Sequence, residues 1–194
     1  IGSSDEYGNN PAPQSENLRE SSLSPYSLGK VAVTHFLQMI SKTDNFPAVI
    51  LRVFLTYGPG QKNNRFIPQI INGCKNNSFF PTSEGMQLRD FCYIDDLVDA
   101  IFLALEKQDI NGEIINIGSG KPVKIRDLVE EIRIIIGKGN PQYGSYPYRE
   151  SENKELYADI MKSEMFLNWK PKTSLKEGLT KTIDWYLKDG KTLS

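Results

Sequence analysis

A nearly continuous apolar run, Ala48 to Phe54, ends at the turn segment Tyr57-Gly58-Pro59-Gly60. A strand that is covered on both faces has this pattern, and such strands are typical of parallel sheets flanked by helices. Further strands are predicted at residues 91–94 and 113–117. Apolar residues recur at helical spacing over residues 24–42, 66–74, 95–105, 125–136, 159–166 and 174–186. Strands and helices alternate, which predicts an α/β protein with a mainly parallel sheet.

Two local features complete the prediction of secondary structure. Asp95 or Asp96 is expected to cap the helix that follows the strand at residues 91–94, because a carboxylate can accept from the free N–H groups of a first helical turn. Residues 137–155 are predicted to be irregular, since tyrosines there are interleaved with Gly and Pro.

The composition excludes several classes of protein. The chain has 23 basic and 24 acidic residues, so it lacks the overall positive field that holds nucleic-acid phosphates or a membrane surface. No apolar run approaches the roughly 20 residues that cross a bilayer. Two cysteines are too few for a disulfide scaffold or a zinc site, and we expect reduced thiols in the cytoplasm. With His35 as the single histidine, neither a histidine-based triad nor a metal site is expected.

Tyr26 and Lys30 are candidate catalytic residues. Ser24-Pro25 predicts a helix start, and the i, i+4 spacing then places the phenol and the ammonium group on one face. A lysine cation beside a phenol favours the phenolate, which can exchange a proton with a hydroxyl or carbonyl group. Ser3 could hydrogen-bond the same substrate oxygen. An ordinary surface pair, and a turn hydroxyl for Ser3, remain alternatives.

In several segments the chain resembles the extended short-chain dehydrogenase/reductases that act on nucleotide-sugars. The segments that carry the resemblance occur in the family's order and span almost the whole chain: Gly2–Gly8, Ser24–Lys30, Leu51–Gly60, Gly85–Asp96, Asn116–Gly120, Tyr157–Asp159 and Trp169–Pro171. The resemblance implies a Rossmann-like parallel sheet, of which only the C-terminal half is in this chain, and a small α/β substrate-binding domain.

The resemblance also implies catalytic and cofactor-binding roles. Tyr26 would be the acid/base, Lys30 its electrostatic partner and the anchor of the nicotinamide ribose, and Ser3 the third member. Phe54 would contribute to the cofactor site. Hydride would pass between a sugar carbon, usually C4, and NAD or NADP.

Substrate contacts follow from the same resemblance. Arg89 and Arg149 would hold the diphosphate of the nucleotide-sugar, because a guanidinium group matches phosphate oxygens in a bidentate way. Ser4 would contact the substrate and Phe80 would stack on the nucleobase. A local ion pair is the alternative for Arg89, and core packing is the alternative for Phe80.

The resemblance also implies a domain organisation and an oligomeric state. Residues 1–60 would end the dinucleotide-binding domain, and residues 61–194 would mainly bind the nucleotide-sugar, with residues 90–118 returning to the Rossmann sheet. The family suggests a homodimer formed partly through the helix of Tyr26, with Val33 and Leu37 on the buried face.

The glycine-rich cofactor fingerprint, which family members carry in an N-terminal half, is not found in the sequence. We therefore expect the chain to be the C-terminal part of an enzyme, and expect it to bind NAD(P) poorly and to be inactive by itself. The alternative is a non-catalytic half-enzyme that binds a nucleotide-sugar or a partner chain.

The type of reaction depends on the residues beside Ser3. Ser4 stands where 4,6-dehydratases of the family have a carboxylic acid, and it cannot act as one. Asp5 could replace the dehydratase base, with a shorter reach. Leu55 replaces a polar residue that contacts substrate in many members. The segment Gly2–Gly8 most closely matches reductases of 4-keto-6-deoxy nucleotide-sugars, so reduction at C4 is predicted, with 4-epimerase and 4,6-dehydratase as alternatives.

Overall fold

The structure is a computed structural model and describes residues 1–148 and 153–188. Its strands and helices alternate along the chain, which confirms the predicted α/β class. In chain order they are β1 (Gly2–Ser3), a 3-10 helix (Ser4–Tyr7), α1 (Pro25–Thr43), β2 (Ile50–Val53), β3 (Leu55–Tyr57), α2 (Phe66–Lys75), β4 (Phe79–Pro81), β5 (Leu88–Arg89), β6 (Phe91–Tyr93), α3 (Ile94–Glu106), β7 (Ile114–Ile117), β8 (Val123–Lys124), α4 (Ile125–Ile136), β9 (Asn140–Gln142), β10 (Glu155–Leu156), α5 (Met161–Leu167) and α6 (Leu175–Lys188).

The chain divides into two units, and each unit is assembled from three separate segments. The first unit contains Ile1–Thr56, Arg89–Pro122 and Glu155–Lys172. The second contains Tyr57–Leu88, Val123–Lys154 and Thr173–Ser194. The assignment of cofactor binding to residues 1–60 and of substrate binding to residues 61–194 stays a prediction.

A parallel sheet of three strands, in the order β1-β2-β7, forms the centre of the first unit. Ser3 is the register partner of Val53, which in turn is the partner of Ile117. Helix α1 connects β1 to β2, as expected for a crossover between parallel strands. The carboxyl ends of all three strands therefore lie at one edge of this sheet.

The core of the first unit lies between the sheet and its helices. Leu51 of β2 and Ile115 of β7 are buried there with Ala100 of α3. Trp169 is buried in the same cluster and donates its indole N–H to the Asp96 carbonyl oxygen at 3.0 Å. Burial of such side chains removes apolar area from water and stabilises the unit.

In the second unit, helices α2, α4 and α6 contact one another, and β4 pairs in parallel with β9. Leu128 and Ile132 of α4 are fully buried, as are Ile71 of α2 and Leu179 of α6. No helix within the described residues has the length and apolar character that a membrane crossing requires.

Two details of the predicted secondary structure are wrong. Helix α3 begins at Ile94, and Tyr93 before it makes no side-chain cap. Asp95 and Asp96 lie inside the first turn, where a negative charge favours the helix N-terminus. Asp96 instead accepts the Lys172 N–H at 3.1 Å. The region predicted to be irregular contains β9, whose pairing with β4 is set by the tertiary fold and not by a local apolar pattern.

Candidate active site

Three residues mark the carboxyl ends of the parallel strands in the first unit. Ser3 ends β1, Phe54 follows β2, and Gly118 follows β7. In open α/β sheets, ligands bind outside the carboxyl ends of the strands. This edge is therefore where a site is expected, and the predicted residue Ser3 lies on it.

Ser3 is held by the short 3-10 helix that starts directly after it. Its hydroxyl oxygen accepts the Asp5 N–H at 3.2 Å, and its own N–H donates to Glu6 Oε1 at 2.8 Å. Ser3 and Glu6 also form a capping box, in which each side chain accepts the backbone N–H of the other residue, and this explains why the chain turns here. The side chain of Ser3 is half-buried, and its hydroxyl hydrogen is available to a second partner.

Tyr26 and Lys30 lie in the first two turns of α1. The helix begins at Ser24, whose hydroxyl accepts the Ser27 N–H at 3.1 Å, and Pro25 occupies the first turn. Tyr26 is 57% exposed. Lys30 Nζ lies 5.7 Å from the centroid of the Tyr26 ring and donates to the Ile1 carbonyl oxygen at 3.0 Å. Lys30 is thus brought together with Tyr26 and with the segment that leads into Ser3.

Asp5 and Arg89 are close enough to interact electrostatically. Partial desolvation raises the pKa of the Asp5 carboxyl, and the positive charge of Arg89 opposes that shift. Asp5 lies on the short helix after Ser3, and Arg89 ends β5. Arg89, the predicted phosphate-binding residue, therefore interacts electrostatically with the short helix that follows Ser3.

Asp90 is a buried carboxylate that the sequence analysis did not single out as a site residue. It accepts the backbone N–H groups of Ser119 at 2.5 Å, Gly120 at 2.9 Å and Ala158 at 3.1 Å. Burial raises the pKa of the Asp90 carboxyl, and these hydrogen bonds oppose the shift. Asp90, which is next to Arg89 in the sequence, thereby fixes the two loops that contain Ser119–Gly120 and Ala158.

A second buried network, also missed from the sequence, contains Glu6 and Arg52. Arg52 Nε donates to Glu6 Oε2 at 3.0 Å, and Arg52 Nη2 donates to Glu20 Oε1 at 2.5 Å. The Thr34 hydroxyl also donates to Glu6 Oε2, at 2.9 Å. A signal for this network was present, because Arg52 interrupts an otherwise apolar strand and a buried charge needs a partner.

Ser4 and Phe54 are placed away from solvent. Ser4 is 3% exposed. The Phe54 ring is buried against Tyr7, with 6.2 Å between the ring centroids. The roles predicted for Ser4 and Phe54 stay predictions.

The remaining predicted residues, Phe80 and Arg149, belong to a different part of the chain. The Phe80 ring packs on α2 at Gly73, where an added Cβ would lie 2.5 Å from the ring atom Cδ1. The ring therefore fills a space that only glycine leaves open. Arg149 lies outside the described residues.

The arrangement can transfer a proton at a bound hydroxyl or carbonyl group. Tyr26 supplies an exposed phenol, Lys30 an ammonium group on the same helix, and Ser3 a hydroxyl at the sheet edge. Lys30 has three N–H donors, of which the Ile1 bond uses one, so it can also hold hydroxyl groups of a cofactor. Within residues 1–148 and 153–188, no group of three or more His, Cys, Asp or Glu side chains is placed to hold a metal ion.

The chain is similar in sequence to enzymes of nucleotide-sugars. It is 33% identical over 178 residues to the uncharacterized UDP-glucose epimerase YtcB of Bacillus subtilis. The aligned region covers 91% of this chain and 56% of that relative. It is 34% identical over 168 residues to the human dTDP-D-glucose 4,6-dehydratase. The aligned region covers 84% of this chain and 48% of that relative. The chain thus spans about half the length of these two relatives.

Solved structures of nucleotide-sugar epimerases are also similar to this chain. The UDP-glucose 4-epimerase of Thermotoga maritima, solved with UDP-glucose, has a TM-score of 0.90 and 27% identity, over 98% of this chain and 63% of that one. The UDP-glucuronic acid 4-epimerase of Bacillus cereus, solved with UDP-glucuronic acid and NAD, has a TM-score of 0.86 and 34% identity, over 95% and 59%. The predicted Rossmann-like fold is therefore confirmed.

A family model also matches residues 1–118, which include Ser3, Tyr26, Lys30 and Arg89. This match covers more than half of the chain and agrees with the resemblance seen in the sequence motifs. From these residues, the fold and the relatives, the chain belongs to the NAD dependent epimerase/dehydratase family.

Proposed function

We propose that the protein is a NAD-dependent 4-epimerase of nucleotide-sugars, in which Tyr26, Lys30 and Ser3 are the catalytic residues. The observation that carries this proposal is the contact set of Lys30, which reaches both the Tyr26 ring and the Ile1 carbonyl oxygen. Lys30 therefore lies close to the Tyr26 phenol and to the segment that leads into Ser3, at the carboxyl edge of a parallel sheet. The epimerases among its relatives support the same reaction.

The residues present fit a nicotinamide cofactor. Lys30 keeps N–H donors for the ribose hydroxyl groups, and Tyr26 is exposed beside it on the same helix. When bound, NAD would supply the hydride acceptor and donor for the sugar carbon. The solved Bacillus cereus epimerase contains NAD, which supports NAD as the cofactor here as well.

In this proposal the side chains of the chain move and hold protons. The Tyr26 phenolate takes the proton of the sugar C4 hydroxyl, and later returns a proton to the oxygen of the 4-keto sugar. Lys30 Nζ lies 5.7 Å from the centroid of the Tyr26 ring and supplies a positive charge beside it. Ser3 donates its hydroxyl hydrogen to the same sugar oxygen and so orients it.

Arg89 is the residue that we propose for the diphosphate of the substrate. Its guanidinium group can match two phosphate oxygens, and Asp90 fixes the loops beside it. Asp5 interacts with Arg89 electrostatically, so a bound diphosphate would compete with Asp5 for that charge. We keep Arg149 as a second phosphate ligand and Phe80 as a nucleobase contact.

Epimerisation requires fewer acid groups than dehydration. A 4,6-dehydratase needs a carboxylic acid beside the catalytic Ser or Thr, and Ser4 at that position is a buried hydroxyl. Reduction of a 4-keto-6-deoxy nucleotide-sugar is the second candidate. The segment Gly2–Gly8 favours it, and it uses the same Ser3, Tyr26 and Lys30. It differs in that it consumes a reduced cofactor.

The reaction is tested on the full-length protein with NAD and each of UDP-glucose, UDP-glucuronic acid and dTDP-glucose. A 4-epimer detected by chromatography supports the proposal. A 4-keto-6-deoxy product would establish dehydration instead, and stoichiometric oxidation of NADPH with a 4-keto substrate would establish reduction. Absence of all three activities would refute the proposed function.

Variants then assign the roles. Tyr26→Phe removes the acid/base and should lower kcat by about 10²–10⁴-fold. Lys30→Met should lower kcat and weaken NAD binding, whereas Lys42→Met in the last turn of the same helix is the matched control and should do neither. Equal activity of Tyr26→Phe and wild type would exclude Tyr26 from the chemistry.

We also propose a homodimer that forms partly through α1. Val33 and Phe36 on this helix are each 55% exposed, and Leu28 and Met39 are also exposed, while Leu37 is half-buried. An apolar helix face of this kind favours a protein interface. Light scattering should give a dimer for wild type and a monomer for Phe36→Asp, with Phe79→Asp as an exposed control in the second unit. A monomeric wild type would refute the dimer.

The two cysteines fit a reducing compartment. Cys74 and Cys92 are both free thiols and both buried. We place the protein in the cytoplasm on this basis.

A further inference from the structure

The Glu6 carboxylate joins three elements of the first unit. It is 0% exposed, and its Oε1 accepts the Ser3 N–H at 2.8 Å. Its Oε2 accepts the Thr34 hydroxyl of α1 at 2.9 Å and Nε of Arg52 in β2 at 3.0 Å. One side chain therefore links the end of β1, the helix of Tyr26 and Lys30, and the neighbouring strand.

We propose that Glu6, held by Arg52, is a positioning residue that fixes Ser3 relative to the helix that carries Tyr26 and Lys30. This inference rests on the proposed function, because it assumes that Ser3, Tyr26 and Lys30 act on one substrate oxygen. Thr34 lies one helical turn beyond Lys30, so its bond to Glu6 acts close to the proposed catalytic lysine.

Arg52 is itself restrained from several sides, which makes it a rigid support. It is 0% exposed, it bonds Glu20, and its guanidinium carbon lies 4.7 Å from the centroid of the Tyr7 ring. Its Nη1 is buried with no hydrogen-bond partner among the described residues. An incompletely satisfied buried charge is a costly way to stabilise a fold, whereas its directional bonds do define the position of Glu6.

The consequence for catalysis follows from geometry. A misplacement of about 1 Å between reacting groups can cost about 100-fold in rate. Without Glu6, the Ser3 N–H loses its acceptor and α1 loses the Thr34 bond, while the surfaces that would bind the nucleotide and diphosphate are unchanged. The expected signature is a reduced kcat at a nearly unchanged KM.

The double variant Glu6→Leu/Arg52→Met tests this in the full-length enzyme. It removes both charges together, and replacing a buried ion pair by apolar residues is often neutral for stability. We expect a folded protein with kcat lowered about 10–100-fold, KM within threefold, and loss of hydrogen-exchange protection at the Ser3 amide. Glu20→Gln is the matched control: it removes another negative charge beside Arg52 but leaves Ser3 and Thr34 bonded, and should keep both kcat and the protection.

A folded double variant with wild-type kcat and a protected Ser3 amide would overturn the inference. If the double variant does not fold, Thr34→Val decides: a threefold or larger fall in kcat at unchanged KM supports the inference, and an unchanged kcat overturns it. If the wild-type enzyme turns over no nucleotide-sugar, the proposed function fails. The link between Glu6 and Ser3 is then judged by amide protection alone.

Discussion

Replacement of Asp90 should expose how strongly the loops beside Arg89 depend on one carboxylate. Asp90 accepts three backbone N–H groups, from Ser119, Gly120 and Ala158. Asp90→Ala removes both acceptor oxygens, and with them all three hydrogen bonds, in a site that is fully buried. The sequence separations of 29, 30 and 68 residues mean that no local structure replaces these bonds.

The size of the effect can be worked out from these bonds. A buried donor that loses its acceptor costs about 1–3 kcal/mol. Water that enters the space left by the carboxylate satisfies part of this demand, so we expect a loss of about 3–6 kcal/mol in the free energy of unfolding. At about 2–4 °C per kcal/mol, the melting temperature should fall by about 6–24 °C.

Thermal and urea unfolding of the full-length protein measure this loss. Asp90→Asn keeps one acceptor oxygen and should give a smaller loss, about 1.5–3 kcal/mol. Asp109→Asn is the matched control, because Asp109 is exposed and has a φ of 64°, a conformation that Asn also tolerates. A loss below about 1 kcal/mol for Asp90→Ala would refute the hydrogen-bond reasoning.

Two further predictions concern packing and thiol chemistry. Gly73→Ala should destabilise the protein by about 1–2 kcal/mol, because the clash with the Phe80 ring exceeds the helix-propensity gain. Gly29→Ala, with no atom within 4 Å of the added Cβ, should stabilise it by up to about 1 kcal/mol. Urea unfolding measures both variants, and a change of the same sign in their free energies of unfolding would contradict this prediction. Burial raises the pKa of Cys74 to about 11 and that of Cys92 to about 12, so thiolate forms only at higher pH. Iodoacetamide at pH 8.5 should therefore label both cysteines in urea and neither in the folded protein, and labelling of the folded protein would show that the thiols are accessible.

Features set by short sequence segments could be predicted. The Ser24-Pro25 start gives α1 and with it the i, i+4 pair of Tyr26 and Lys30. The apolar run that contains Ile50–Val53 gives a buried strand, since its pattern needs no information from elsewhere in the chain. Both the α/β fold and the candidate catalytic pair follow from such local signals.

Features that depend on distant residues could not be predicted in this way. The three partners of Asp90, and the contacts of Glu6 with Thr34 and Arg52, join segments that are far apart in sequence. Pairing of Asn140–Gln142 with β4 is also nonlocal, and the central Pro141 of that strand gives no local strand signal. Only the tertiary fold supplies these contacts.

The segmented build of the two units limits how the protein can be engineered. The backbone passes between the units at residues 56/57, 88/89, 122/123, 154/155 and 172/173. A chimera that takes the second unit from a relative therefore needs five matched splice points, and no single terminal truncation yields either unit whole. Engineering of the second unit should accordingly succeed through point substitutions or short grafts more readily than through exchange of one contiguous block.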